Sequence, residues 1–201
     1  MENKERLPLA YMTMGGKYLL LAENILQEMV SHDNPHIIAT DNENIWDEYF
    51  EKTKWSDFNI IFPTLFLFYH GIELTMKGLT SLLGFEISPN HKKDYLAQLE
   101  KNDELDKQIL GIIKKYFDLS QLSGTPLSDW VTKNNLDVDN LYERLRYPTN
   151  KGLIGLTDDW PLKYKEQEML PFAKMIINDS KQLRSLSLIQ FHKIYPTNAT
   201  N

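Results

Sequence analysis

The stretch Pro63-Thr64-Leu65-Phe66-Leu67-Phe68-Tyr69-His70-Gly71-Ile72-Glu73-Leu74-Thr75-Met76-Lys77-Gly78-Leu79-Thr80-Ser81-Leu82-Leu83-Gly84 decides the fold. Leu65, Tyr69, Ile72, Met76, Leu79 and Leu83 follow one another at intervals of four and three, the spacing of one helix face, and Gly84 stands where such a helix stops. At about 100° per residue, Gly71, Thr75 and Gly78 form a second stripe, small enough for a neighbouring helix to approach closely. Leu67 and Leu74 close most of the remaining side. A helix that is apolar nearly all round belongs in the middle of a bundle.

Helical spacing recurs on both sides of this segment and strand-like alternation is almost absent, so the sequence predicts an all-α, up-and-down bundle of four to five main helices with loop and short-helix insertions. Upstream, Tyr11, Met14, Tyr18, Leu21, Ile25 and Met29 trace the inner face of a first helix. Gly15-Gly16 delays its start to about Lys17, and His32 to Pro35 ends it. Asn44 can cap a short helix through Phe50, and Ser56 or Asp57 can cap another leading to Pro63, so this stretch reads as an insertion. Downstream, Leu96, Leu99, Leu105, Ile109, Ile112 and Tyr116 form one helical region ending near Asp118, and a short helix fits around Trp130. Asp139 can cap a helix that Tyr147-Pro148 ends at about Arg146. The last helix runs from about Glu166 to His192 with Phe172, Ile176, Leu183 and Leu186 inward. A single domain over residues 1–201, with its core at about 10–192 and a loose tail at about 196–201, is the expected organisation.

The composition narrows the chemistry. With no cysteine among 201 residues, thiol catalysis, Cys-bound zinc, iron–sulfur clusters and disulfides are excluded. A net charge of −6 supplies no global positive field to draw the protein onto nucleic acid, so any RNA contact has to be local. No signal-peptide core and no apolar run of the ~20 residues needed for a span occurs, which predicts a cytoplasmic protein without membrane contact. His32 and His36 are four apart, but Asn34 and Pro35 between them make a loop, so no metal site and no cofactor is expected. Phosphate-binding glycine loops, nucleophile elbows and the zincin motif are missing.

What remains is a polar stripe on the central helix. His70, Glu73 and Lys77 lie three and four apart and share one environment, where an unpaired charge would be costly. The plain arrangement is a Glu73 to Lys77 pair with His70 bonded to a backbone group; the other adds Arg146 from the last turn of its own helix, where a cation complements the dipole and a guanidinium can grip phosphate. Lys92-Lys93, Lys114-Lys115 and Arg144 with Arg146 are small basic pairs that form an RNA-binding patch only if they converge in space.

The run from Phe68 to Leu79, then Gly84, then Asn90-His91-Lys92-Lys93-Asp94-Tyr95-Leu96, then Leu145-Arg146-Tyr147-Pro148, resembles the HEPN superfamily, with matching order and spacing over roughly residues 10 to 192. The resemblance implies a small helical bundle, commonly a homodimer, of the kind found in antiphage defence, abortive infection and toxin–antitoxin pairs and as partners of nucleotidyltransferases. It assigns Glu73 and Lys77 to the second main helix, His91 to the opening of the next, and Arg146 to the neighbourhood of the active site. Many members are metal-independent ribonucleases whose Arg is followed by four to six residues and then a His. After Arg146 the corresponding positions hold Lys151, Gly152 and Leu153, and Tyr147-Pro148 replaces the small polar residue of active members. The expectation is therefore a binding protein that contacts RNA, or a phage or antitoxin protein, through Glu73, Lys77, Arg146 and Asn150. The rivals are a ribonuclease in which His70 or His91 joins Arg146, and a non-catalytic antitoxin or nucleotidyltransferase-partner module. Trp46, Trp55, Phe58, Trp130 and Trp160 are large enough to mark a homodimer interface.

Overall fold

A computed structural model describes residues 3–35, 45–87, 92–147 and 156–196. Asn44, His91, Asn150, the His36 half of the histidine pair and the tail at 197–201 lie outside the described residues. The described chain is an all-α bundle. Its α-helices are α1 (Asn3–Ser31), α2 (Ile45–Thr53), α3 (Asp57–Leu82), α4 (Lys92–Glu100), α5 (Lys107–Phe117), α6 (Pro126–Lys133), α7 (Val138–Arg144) and α8 (Met169–Ile194). One contiguous apolar cluster runs from Met12 on α1 to Phe191 on α8.

The helix read from the central stretch lies in the middle, packed against α1, α4 and α8. It is longer than the pattern implied: α3 starts at Asp57, with Ser56 in extended backbone as its N-cap, and carries Pro63 inside it. The segment read as a separate capped insertion is thus the first turn and a half of the main helix. Pro63 removes one backbone donor near the start of the helix, which the remaining turns tolerate.

The small-residue stripe does what its geometry suggested. A Cβ on Gly71 would lie 2.8 Å from Leu19 Cγ, and one on Gly78 would lie 2.4 Å from Met12 Cγ. Gly15 of α1 faces back into the same seam, where a Cβ would meet Thr75 Oγ1 at 2.6 Å and the Gly71 carbonyl oxygen at 2.8 Å. Residues 12, 15 and 19 therefore meet 78, 75 and 71, so α1 and α3 run antiparallel. This crossing corrects two expectations for α1. The helix passes straight through Gly15-Gly16 and begins at Asn3, not near Lys17, because the glycines serve a helix contact and not a break. The same contact rotates α1 so that Met12, Leu19, Ala22, Leu26 and Met29 form its buried face, while Met14 and Leu21 are each 48% exposed.

Polar contacts fix the other main helices. Glu23 of α1 accepts a 2.6 Å hydrogen bond from Arg184 of α8. Asp179 of α8, almost fully buried, accepts from Lys115 Nζ at 2.8 Å and from the Tyr116 hydroxyl at 2.6 Å, both on α5. At the other end of that pair the Asp106 backbone N–H donates to Gln190. So α5 runs antiparallel to α8, and α1, α3, α5 and α8 alternate in direction as an up-and-down bundle. The region read as one helix ending near Asp118 is two, α4 and α5, with Asp106 capping the second by accepting from the Gln108 backbone N–H. The cap of α7 is Asp137, which accepts from the Asn140 backbone N–H, and not Asp139.

The base of the bundle is closed by one carboxylate. Asp57, fully buried at the start of α3, accepts from Asn34 Nδ2 at 3.0 Å, from the Tyr164 backbone N–H at 2.9 Å and from the Lys165 backbone N–H at 2.7 Å. Asn34 (φ 48°) and Tyr164 (φ 57°) hold left-handed backbone that non-glycine residues adopt at a cost, and the Asp57 bonds hold them there.

Candidate functional site

His70, Glu73 and Lys77 sit on one stripe of α3, flanked by Tyr11 and Tyr18 of α1, Tyr95 of α4 and Tyr142 of α7. Lys77 Nζ donates to Glu73 Oε1 at 2.8 Å, with 18% of the lysine side chain and 13% of the glutamate side chain exposed. Burial works against the ammonium, but the Glu73 hydrogen bond and charge, with Tyr95 and Tyr11 adding to them, hold the Lys77 pKa above the ordinary lysine value. Because that value is raised, the pair's contribution is complete below the unfolded lysine pKa and is lost only as pH climbs through the folded one.

His70 is held on three sides. Phe66, one turn earlier, lies parallel to it at 5.8 Å, and Tyr18 approaches edge-on at 4.7 Å. Its Nδ1 shares a 2.8 Å hydrogen bond with the hydroxyl of Tyr142, a side chain of α7. Tyr142 in turn carries Arg146, whose guanidinium carbon lies 5.9 Å from its ring centroid and 5.2 Å from that of Tyr147. Arg146 also donates to the Tyr147 hydroxyl at 3.2 Å. Burial first, then repulsion from the Glu73 charge, pushes the Tyr142 phenol up to about 12, while Arg146 pulls the other way. Tyr142 is thus a neutral link at physiological pH between the α3 stripe and Arg146.

The packing brings His70, Glu73, Lys77 and Arg146 into one neighbourhood through Tyr142. Among the described residues Lys77 supplies the hydrogen bond to Glu73, and Arg146 is braced on tyrosine rings with its side chain exposed. Tyr142 was missed in the sequence, and Arg146 does not sit in the last turn of its helix as expected: α7 ends at Arg144, and Arg146 stands in the turn just beyond it.

Arg146 opens onto a cleft of about 260 Å³ whose walls include Arg144, Tyr147, Asp159 and Lys163. Among the described residues that line it are three cations, Arg144, Arg146 and Lys163, and one carboxylate, Asp159. Lys163 Nζ lies 3.5 Å from Asp159 Oδ2 and about equally far from two rings, 5.3 Å from Phe58 and 5.2 Å from Phe62. Of the basic pairs, Arg144 with Arg146 converges with a third cation. Lys114 and Lys115 are bonded to Glu100 and Asp179, each at 2.8 Å, and are structural. Lys163 and Asp159 come from irregular chain around the short 3₁₀ turn Trp160–Leu162, where no periodicity marks them.

The large aromatics divide. Trp130 is fully buried, edge-on to Phe62, so it belongs to the core and not to an interface. Trp46, Phe58 and Trp160 are exposed. No helix among the described residues is long and apolar enough to cross a membrane.

No protein-family model, curated protein or solved structure matches the chain significantly.

Proposed function

We propose that this chain is an RNA-binding protein of the HEPN-like type, gripping phosphate through Arg146 and lacking the proton-transfer set for cleavage. The observation that carries the proposal is the placement of Arg146, exposed, braced by Tyr142 and Tyr147, and grouped with Arg144 and Lys163 in one cleft of an otherwise acidic chain. The Glu73–Lys77 pair and Tyr142 act behind it as positioning residues. RNA is named because of the motif residues quoted above, and a cytoplasmic role in phage defence or a toxin-type system follows from the same resemblance.

Fluorescence anisotropy with a labelled RNA tests this. Binding falls steeply with added salt, Arg146→Ala weakens it by about tenfold or more, and no cleavage products form with or without EDTA. Binding unaffected by Arg146→Ala would remove the proposal. A second reading, the metal-independent ribonuclease, draws on the His70–Tyr142–Arg146 succession, which puts an imidazole one tyrosine away from the guanidinium. Cleavage that survives EDTA and is lost in both His70→Ala and Arg146→Ala would establish that reading instead.

A homodimer belongs to the same proposal. Leu20 and Leu188 are exposed on either side of a groove of about 300 Å³ between α1 and α8, with Leu21 and Ile189 exposed beside them. Light scattering at micromolar concentration should return twice the chain mass, and a monomer would exclude this part.

A further inference from the structure

The second of the paired glycines, Gly16, is not required by packing. Gly15 is pressed against α3, whereas the atoms nearest a Cβ on Gly16 are Cγ and Cδ of Arg184, both at 3.9 Å. Glycine inside a helix destabilises it relative to alanine, and it is used where a ligand comes close to the backbone. Gly16 lines the groove of about 300 Å³ between α1 and α8, together with the apolar side chains of Leu9, Met12, Leu20 and Leu188. From Gly16 to Leu9 the groove follows α1 for about 10 Å, at 1.5 Å per residue.

Its charge is one-sided. Lys17 and Arg184 also line the groove, and none of its described lining residues is a carboxylate. Arg184 bonds Glu23 at 2.6 Å, but Lys181 Nζ approaches the same carboxylate at 3.7 Å, so Glu23 is shared between two cations. Lys17 has no ion-pair partner among the described residues. Positive charge therefore gathers at the level of Gly16, while Met12 and Leu9, one and two turns away along α1, offer only apolar surface. A ligand that suits both parts has one anionic head and a hydrocarbon tail.

We infer that this groove binds a medium-chain carboxylate, its head beside Lys17 and Arg184 and its chain lying over the Gly16 backbone toward Met12 and Leu9, with Leu188 alongside. The inference does not rest on the RNA-binding reading. It takes the floor of the face read above for a second copy, so a bound chain and a second copy compete for the groove.

Calorimetric titration of the protein with octanoate, decanoate and the uncharged decanol tests this. The expected result is one decanoate per chain, with octanoate weaker by about tenfold because two fewer CH₂ groups leave water. Lys17→Glu weakens decanoate by about tenfold and leaves decanol unchanged. Gly16→Leu fills the floor and abolishes binding of both with no fall in melting temperature, which separates a blocked groove from an unfolded one. Absence of decanoate binding, or binding unchanged by Gly16→Leu, would overturn the inference. Equal affinity for acetate and decanoate would overturn it too, since only surface charge would then be at work. Absence of binding together with a light-scattering mass of two chains would give the groove to the second copy, and none of these outcomes touches phosphate binding at Arg146.

Discussion

Asp57→Ala is expected to lower stability by on the order of 4 kcal/mol, a large part of what a single domain has in total, and to reduce the melting temperature by roughly 10 °C. The carboxylate is fully buried and accepts from the Asn34 side chain and the backbone N–H groups of Tyr164 and Lys165. Alanine leaves the Tyr164 and Lys165 backbone N–H groups without their acceptor and leaves the Asn34 amide with only its bond to the Glu166 carbonyl. Two of those donors lie beside left-handed residues, Asn34 and Tyr164, so the strained backbone loses the bonds that hold it. Asp57→Asn should fall between, since its carbonyl oxygen replaces one acceptor while its amide group points a donor at another. Melting and urea titration measure the effect, and a wild-type midpoint in Asp57→Ala would show that the three bonds carry little.

The second large effect concerns two adjacent glycines with opposite outcomes. Gly15→Ala should destabilise by about 2–3 kcal/mol, because its Cβ would lie 2.6 Å from Thr75 Oγ1, 2.8 Å from the Gly71 carbonyl oxygen and 2.9 Å from the Thr75 nitrogen. Two of those atoms are backbone, so α1 and α3 would have to move apart along their whole seam. At Gly16 the nearest neighbours of a new Cβ are two carbons of the Arg184 side chain at 3.9 Å, an ordinary contact. Gly16→Ala should therefore stabilise by about 0.5–1 kcal/mol, the usual gain from replacing glycine inside a helix. The pair of melts decides: two stabilising substitutions would mean that the α1–α3 crossing has room to spare.

These glycines also show where the sequence was legible. The central helix could be read directly, because its apolar spacing is regular and its small residues have no other purpose. Gly15-Gly16 resembled a break because local propensity is all that a short window shows, and the contact with Gly71 and Thr75 that overrides it lies more than fifty residues away. The Glu73–Lys77 pair was legible because i and i+4 on a helix are neighbours whatever the rest of the chain does. The wall of the cleft was not: Asp159 and Lys163 stand in irregular chain, and only folding brings them to Arg144 and Arg146. The Asp57 cluster was out of reach for another reason, since two of its three donors are backbone N–H groups that any residue carries.

The cationic cleft on an acidic molecule has a kinetic consequence. At physiological ionic strength charges are felt over about 8 Å, so a polyanion farther away meets a chain of net charge −6 and is not drawn in. Only collisions that already present the cleft succeed, and association should sit in the unsteered range of about 10⁵–10⁶ M⁻¹s⁻¹. With association confined to that range, differences in affinity at such a cleft come from how long a complex lasts.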